Sequence, residues 1–239
     1  YRGDDLVADF RLSTDTERTA DEYGAMLLPL FGRSGIDPAT ASAVIVSSVV
    51  PPLNSTLSRL STEFFGRPPL YVEPGIRTGM PIRYDNPAEV GADRIVNAVA
   101  ARELYGAPVV VVDFGTATTF DLVNAAGEYA GGIIAPGILI SAEALFAHAS
   151  RLYRVDVRRP ADLIGRNTAG AMQAGIYFGY IGLVDGILER RQQEVPGLRE
   201  IVATGGQAEL IASGSRFIRK TEPLLTMIGL KLIYDRNRA

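Results

Sequence analysis

Val109 to Pro136 reads VVVVDFGTATTFDLVNAAGEYAGGIIAP, and the architecture of the whole chain turns on it. Its opening run, Val109 to Val112, is apolar and β-branched and is bounded by Pro108 and Gly115, the pattern of a strand buried on both faces. Asp113 then stands at a buried strand's end. Phe114, Gly115 and the small-hydroxyl run Thr116, Ala117, Thr118 and Thr119 follow. Alternation continues through Val123, with a turn at 124–127 and a return toward Gly131 and Gly132. This is a strand, a tight turn and a hairpin. Gly115 lets backbone approach a ligand, the amides and hydroxyls of Thr116, Thr118 and Thr119 can donate to phosphoryl oxygens, and Asp113 can hold a cation or its water shell. The same residues suit an ordinary hairpin whose threonines serve strand propensity, and the stretch alone leaves both readings open.

Composition narrows the function classes. The 239 residues carry 24 Lys and Arg against 27 Asp and Glu, and the basic residues are scattered, which argues against a nucleic-acid surface built on clustered positive charge. With 0 cysteines, disulfides, thiolate metal sites and cysteine nucleophiles are excluded. His148 is the 1 histidine, so a multi-histidine metal site cannot be built, and its Ala-rich helical surroundings suit a surface or packing role. No apolar stretch is expected to reach the ~20 residues that span a bilayer, and the first residues do not resemble a signal peptide.

Before the central stretch, a turn at 2–5 leads into Leu6, Ala8 and Phe10, which alternate with polar neighbours as in a half-buried strand. A turn entering a strand implies a preceding partner, so the expectation is that an N-terminal segment lies outside this sequence. Thr19 to Glu22 fits a capping box for a helix carrying Tyr23, Met26, Leu27 and Leu30. Strands are expected at 43–50 and 69–73, with a helix between them capped by Asn54 or Ser55. A proline- and glycine-rich segment, 74–94, then delivers Gly91, Ala92, Asp93 and Arg94 to the start of a helix at 95–104. Long ordered loops of this kind usually serve a site. Asp93 suits either a cap or a base held ionised by the helix dipole, and Arg94 either a carboxylate clamp or a partner for a neighbouring acid.

After it, a helix is expected at 141–151 and an extended or edge segment at 154–160. A long helix starts at Asn167 or Thr168 and reaches about Gln192. Gly175, Gly179, Gly182 and Gly186 fall on one of its faces, which suits close approach of another helix, within the chain or across a dimer. A membrane helix is the competing reading of such a repeat, and Asp185, Glu189, Arg190 and Arg191 argue against it. A short strand at 201–203 runs into Thr204, Gly205 and Gly206 ahead of a helix near Ala208. Such a turn can bring backbone close to a nucleotide. A last helix follows Pro223.

The segments EPGIRTGMPIRYDNPAEVGADRIVNAVAA (Glu73 to Ala101), VVVDFGTATTFDLV, GEYAGGIIAPG, GRNTAGAMQAG and ATGG together resemble the type III pantothenate kinases across nearly the whole chain. The resemblance implies an α/β protein of the acetate and sugar kinase, heat-shock ATPase and actin superfamily. It would have two ribonuclease-H-like domains, 1–105 and 106–239, with the nucleotide site in the cleft between them. The implied reaction is ATP-dependent phosphorylation of pantothenate to 4'-phosphopantothenate, the first step toward coenzyme A, in the cytoplasm. By the same resemblance Asp93 is the proton acceptor and Gly91, Ala92 and Arg94 its substrate-binding motif. Tyr84 and Thr168 are substrate contacts, Thr168 being supplied across a homodimer. Asp113 is the ligand of a monovalent cation, potassium or ammonium, and Thr116 contacts ATP, beside which Gly115, Thr118, Gly205 and Gly206 complete the nucleotide loops. Magnesium would arrive with the nucleotide. One departure is that the family's first strand, with its DxGNT-type phosphate loop, is not in these residues. That motivates the alternative of a catalytically silent binding or regulatory protein of the same fold; a related kinase for another hydroxylated carboxylic acid is a further alternative, since Arg94 and Tyr84 favour a carboxylate-bearing substrate without naming it.

Overall fold

The computed structural model describes residues 1–149 and 151–238. The chain falls into two compact units: Tyr1–Thr78 with Ala88–Val96 and the segment from Leu230 onward, and Gly79–Pro87 with Asn97–Gly229.

In the first unit, α1 (Ala20–Arg33) opens on the capping box read from sequence, with the Thr19 hydroxyl accepting from the Glu22 amide and the Glu22 carboxylate accepting from the Thr19 amide at 2.8 Å. Against it packs α2 (Asn54–Phe65), through a cluster of Tyr23, Leu27, Leu60 and Phe64. A Cβ on Gly24 would lie 2.0 Å from the Phe64 ring, so glycine sets this approach. The strands β1 (Val44–Val46) and β2 (Pro69–Tyr71) pair in parallel and are shorter than expected. Two expectations are corrected. The segment of Leu6, Ala8 and Phe10 forms no strand: the Arg2 and Asp5 bridge precedes it, it has no ladder partner among the described residues, and alternation without a partner leaves backbone groups to solvent. Neither Asn54 nor Ser55 caps α2, because a 3-10 turn, Pro51–Leu53, runs directly into it.

The second unit is built on a five-stranded sheet. The expected hairpin region forms β3 (Val109–Phe114), β4 (Ala117–Val123) and β5 (Tyr129–Pro136), antiparallel in succession. Two further strands, β6 (Glu200–Gly205) and β7 (Lys220–Thr221), add in parallel on the other side of β3, giving the order β5-β4-β3-β6-β7. Val109, Val110, Val111 and Val112 are all fully buried, as the β-branched run requires. The two-residue β7 carried no sequence signal. Residues 154–160, expected to be extended, join no strand.

Among the described residues five further α-helices follow: α3 (Ala92–Tyr105), α4 (Ile138–His148), α5 (Thr168–Glu194), α6 (Ala208–Ala212) and α7 (Leu225–Asn237). α4 starts three residues earlier than expected, and the predicted continuation to 151 passes through Ser150, outside the described residues. Asn167 caps α5 by accepting from the Gly170 amide at 2.8 Å. By length and composition α5 is long and apolar enough to cross a membrane, correcting the expectation that no stretch would be. Its Tyr180, Val184 and Leu188 pack into the sheet's core. Its buried Asp185 accepts from the Ser215 hydroxyl at 2.6 Å and from the Arg216 guanidinium at 3.1 Å.

Candidate active site

The ends of β3, β4 and β6 converge because their registers place Asp113 opposite both Thr119 and Thr204, and Phe114 opposite both Thr118 and Gly205. After Phe114 the chain reverses tightly, with the Gly115 amide donating to the Ala117 carbonyl at 3.1 Å, and Gly115 and Thr116 are exposed at the tip. Gly205 has φ +91, and a Cβ there would lie 2.6 Å from both Asp113 Oδ1 and the Phe114 carbonyl oxygen. A side chain is therefore excluded on conformational and steric grounds together. Gly206 beside it faces open space. At the foot of this turn a Cβ on Gly137 would meet the Thr116 carbonyl at 2.2 Å, which fixes a glycine where β5 hands over to α4.

Four of the sequence-predicted residues, Asp113, Gly115, Thr116 and Gly205, thus share one end of one sheet, with Gly206 next in the chain. Thr118 does not present its hydroxyl there. It is fully buried, sharing a short hydrogen bond with the Tyr180 hydroxyl, which in turn donates to the Pro136 carbonyl at 3.0 Å. Burial pushes the Tyr180 phenol up from its ordinary value, so the group stays protonated and able to donate. Thr119 likewise donates to Asp121 at 2.8 Å, and Tyr129 donates to the other oxygen of that buried carboxylate at 2.7 Å. The hydroxyl role expected of these two threonines is corrected to support of the hairpin.

Sequence reasoning missed Asn97 and Thr226. Asn97, on α3, is 1% exposed and donates from Nδ2 to Asp113 Oδ2 at 2.9 Å, while its Oδ1 accepts from the Thr226 hydroxyl of α7 at 2.7 Å. Their partners stand 16 and 129 residues away along the chain, where no periodicity could point to them.

In the first unit, Gly91 to Arg94 open α3. Asp93 Oδ1 accepts from the Arg94 amide at 2.8 Å, so the carboxylate lies against the helix N-terminus as expected of either a cap or a base. A Cβ on Gly91 would sit 2.6 Å from that same oxygen, and Gly91 leaves room for the carboxylate. Arg94 is buried rather than solvent-facing.

Tyr84 belongs to the second unit. Its ring lies 6.4 Å from that of Tyr129 and covers Gly131, whose Cβ position is 3.6 Å from the Tyr84 ring. The segment around it is tied to β5 by the Arg83 amide donating to the Tyr129 carbonyl at 2.7 Å, and by an Arg83 to Glu128 ion pair at 2.9 Å. That pair holds the Glu128 carboxyl below its ordinary value.

Thr168 is exposed on the first turn of α5 and lines an open concavity of about 770 Å³ with Ser141, Leu145, Met172, Gly175 and Ile176. Among the described residues the glycine face is not closely packed: nothing lies within 4 Å of a Cβ at Gly175, Gly179 or Gly182, and a Cβ at Gly186 meets Arg190 of its own helix. Large apolar side chains stay exposed nearby in sequence, on α4 and on β5, among them Leu163, Ile164, Leu139 and Ile134.

The chain's similarities to known proteins define its family. A family model described as type III pantothenate kinase matches residues 1–190. A type III pantothenate kinase of Geobacter sulfurreducens is 57% identical over 238 residues, covering 100% of this chain and 93% of that protein. One of Myxococcus xanthus is 55% identical over 239 residues with the same coverage. A crystal structure from Campylobacter jejuni, described as a Baf-family transcriptional activator, superposes with a TM-score of 0.55 at 22% identity, covering 83% of this chain and 84% of that one, and speaks to the fold alone. The class so defined is a kinase of mixed α/β fold. Within it, the chain belongs to the type III pantothenate kinase family.

Proposed function

We propose the following division of labour for the family's reaction, the ATP-dependent phosphorylation of pantothenate that begins coenzyme A biosynthesis. Asp93 accepts the proton of the substrate's primary hydroxyl as the phosphoryl group transfers. Gly91 and Ala92 give that carboxylate room, and Arg94 and Tyr84 bind and orient the acceptor. Gly115, Thr116, Gly205 and Gly206 bring backbone against the phosphates and ribose of ATP, and Asp113 faces the cation that accompanies them. Phosphoryl transfer asks for positioning and charge stabilisation more than covalent chemistry, which is what backbone amides and a single well-held carboxylate supply.

The observation that carries this reading is the glycine-lined end of the sheet, where side chains at Gly205 and Gly137 would collide with the turn that follows Asp113. The donor set also fits the ions implied. No group of three or more acidic or histidine side chains able to hold a metal occurs among the described residues. One carboxylate beside backbone carbonyls suits potassium or ammonium, and magnesium carried by the nucleotide phosphates, rather than an all-protein cage. A bound cation would supply positive charge toward the phosphate oxygens. The strand order β5-β4-β3-β6-β7, three antiparallel strands followed by two parallel to the first, supports a ribonuclease-H-like reading of 106–239, with 1–105 as its counterpart. The open glycine face and exposed apolar side chains around Thr168 support a homodimer in which that threonine reaches the partner's site. The proposed setting is the cytoplasm.

The test is ADP release coupled to NADH oxidation, with the product identified by mass. ADP formation that requires pantothenate and yields its phosphate ester is expected. ADP release indifferent to pantothenate would overturn the assignment of the acceptor.

A further inference from the structure

Asn97 is a buried amide whose two ends are both committed, and the chemistry of its neighbours leaves it one orientation. An ionised carboxylate only accepts hydrogen bonds, so the side of Asn97 facing Asp113 must be its NH₂ group. Its oxygen then faces Thr226, whose hydroxyl must donate. The distances, 2.9 Å and 2.7 Å, are those of well-formed bonds. The chain Thr226 to Asn97 to Asp113 therefore has a fixed sense.

Its effect falls on one oxygen. Oδ2 of Asp113 is held by Asn97, and Oδ1 is turned to the glycine turns, 2.6 Å from the Cβ position of Gly205 and 3.8 Å from that of Gly115. A carboxylate on a short side chain at a strand end has two soft torsions. Anchoring one oxygen from a fully buried helix face defines where the other points.

We propose that Asn97 and Thr226 are positioning residues that brace Asp113, aiming Oδ1 into the cleft between Gly115 and Gly205, and that the brace sets the affinity for the monovalent cation there. This rests on the reading of Asp113 as the cation-facing group. Outer partners of ligating groups tune affinity by roughly 10- to 100-fold when removed, because the ligand must then be ordered at the moment of binding.

The experiment titrates potassium chloride at constant ionic strength against the wild type, Thr226→Val, Thr226→Ser, Asn97→Ser and Asp113→Asn. Potassium is followed by two readouts: ADP formation, and the potassium-dependent rise in melting temperature with ATP present. Thr226→Val keeps the side chain's shape and loses its donor. It is expected to raise half-saturating potassium about tenfold in both readouts, with the KM for pantothenate unchanged. Thr226→Ser, which keeps the donor, should restore a near wild-type curve. Asn97→Ser, too short to reach Asp113, should match Thr226→Val. If Thr226→Val and Asn97→Ser superimpose on the wild type while Asp113→Asn abolishes the response, the brace is overturned and the reading of Asp113 stands. If Asp113→Asn responds to potassium like the wild type, or the wild type shows no response, the reading of Asp113 falls and the brace with it.

Discussion

Gly91→Ala separates chemistry from stability at the start of α3. The φ of Gly91 lies outside the left-handed region, so alanine fits the backbone, and the loss of unfolded-state freedom favours the folded form by about 0.4 to 1 kcal/mol. The new methyl would lie 2.6 Å from Asp93 Oδ1, 3.4 Å from Val49 and 3.8 Å from Arg94, so only the carboxylate is seriously crowded. That carboxylate ends a short side chain and can rotate, at a cost that includes the 2.8 Å bond from the Arg94 amide. A hydrogen bond to a charged group contributes about 1.5 to 3 kcal/mol, which leaves a net destabilisation of about 1 to 2 kcal/mol and a melting temperature lower by several degrees. Catalysis should suffer more. Displacing a reacting group by an ångström costs on the order of 10²-fold, so kcat should fall by about that factor while the KM for ATP holds. Coupled ADP release and a thermal melt measure the two quantities. A melting temperature shifted as expected, with kcat within about threefold of wild type, would refute the placement of Asp93 at the reacting hydroxyl.

Other substitutions probe separate parts of the account. Gly205→Ala combines a left-handed φ with backbone contact at 2.6 Å, so urea unfolding should show a loss of at least about 2 kcal/mol, and unchanged stability would contradict the described turn. Glu128→Gln breaks the Arg83 pair beside Tyr84. Because the folded-state pKa of Glu128 lies below its unfolded value of 4.5, the pair stabilises above that pH and is lost as pH falls through the folded value. The variant should melt below wild type at pH 7 and converge with it once the pH has fallen below the folded-state value of Glu128, and parallel curves throughout would remove the pair's role. Gly179→Leu meets open space in one chain, so the monomer should accommodate it, whereas a dimer packed on that face should dissociate. Sedimentation velocity showing an intact wild-type-like dimer would exclude this face as the interface.

Local pattern made much of this fold legible. Four successive β-branched residues gave β3, the Thr19 and Glu22 pair gave the start of α1, and Asn167 gave that of α5. What escaped was pairing across distance. The alternation at residues 6–12 looks like a strand, but a strand needs a partner's hydrogen bonds and none of the described residues supplies them. At the sheet's end, Asp113, Gly115 and Gly205 stood out in the sequence as a carboxylate and glycines where strands give way to turns, although the Asp113 and Gly115 stretch suited an ordinary hairpin as well. Thr118 was misread although period-two alternation puts it on the same buried face as Phe120 and Leu122. Asn97 could not be found, since an asparagine in a helix has no pattern and its meaning comes entirely from Asp113 and Thr226.

The most direct test of the central claim is kcat for pantothenate phosphorylation by Asp93→Asn, beside its melting temperature. The amide keeps the size of the side chain and its place against the Arg94 amide, yet cannot take a proton. A fall of about 10² to 10⁴ in kcat is the expected result, with melting lowered by no more than the few degrees that losing the charge at the helix start costs. A kcat equal to that of the wild type would contradict the assignment of Asp93 as the proton acceptor.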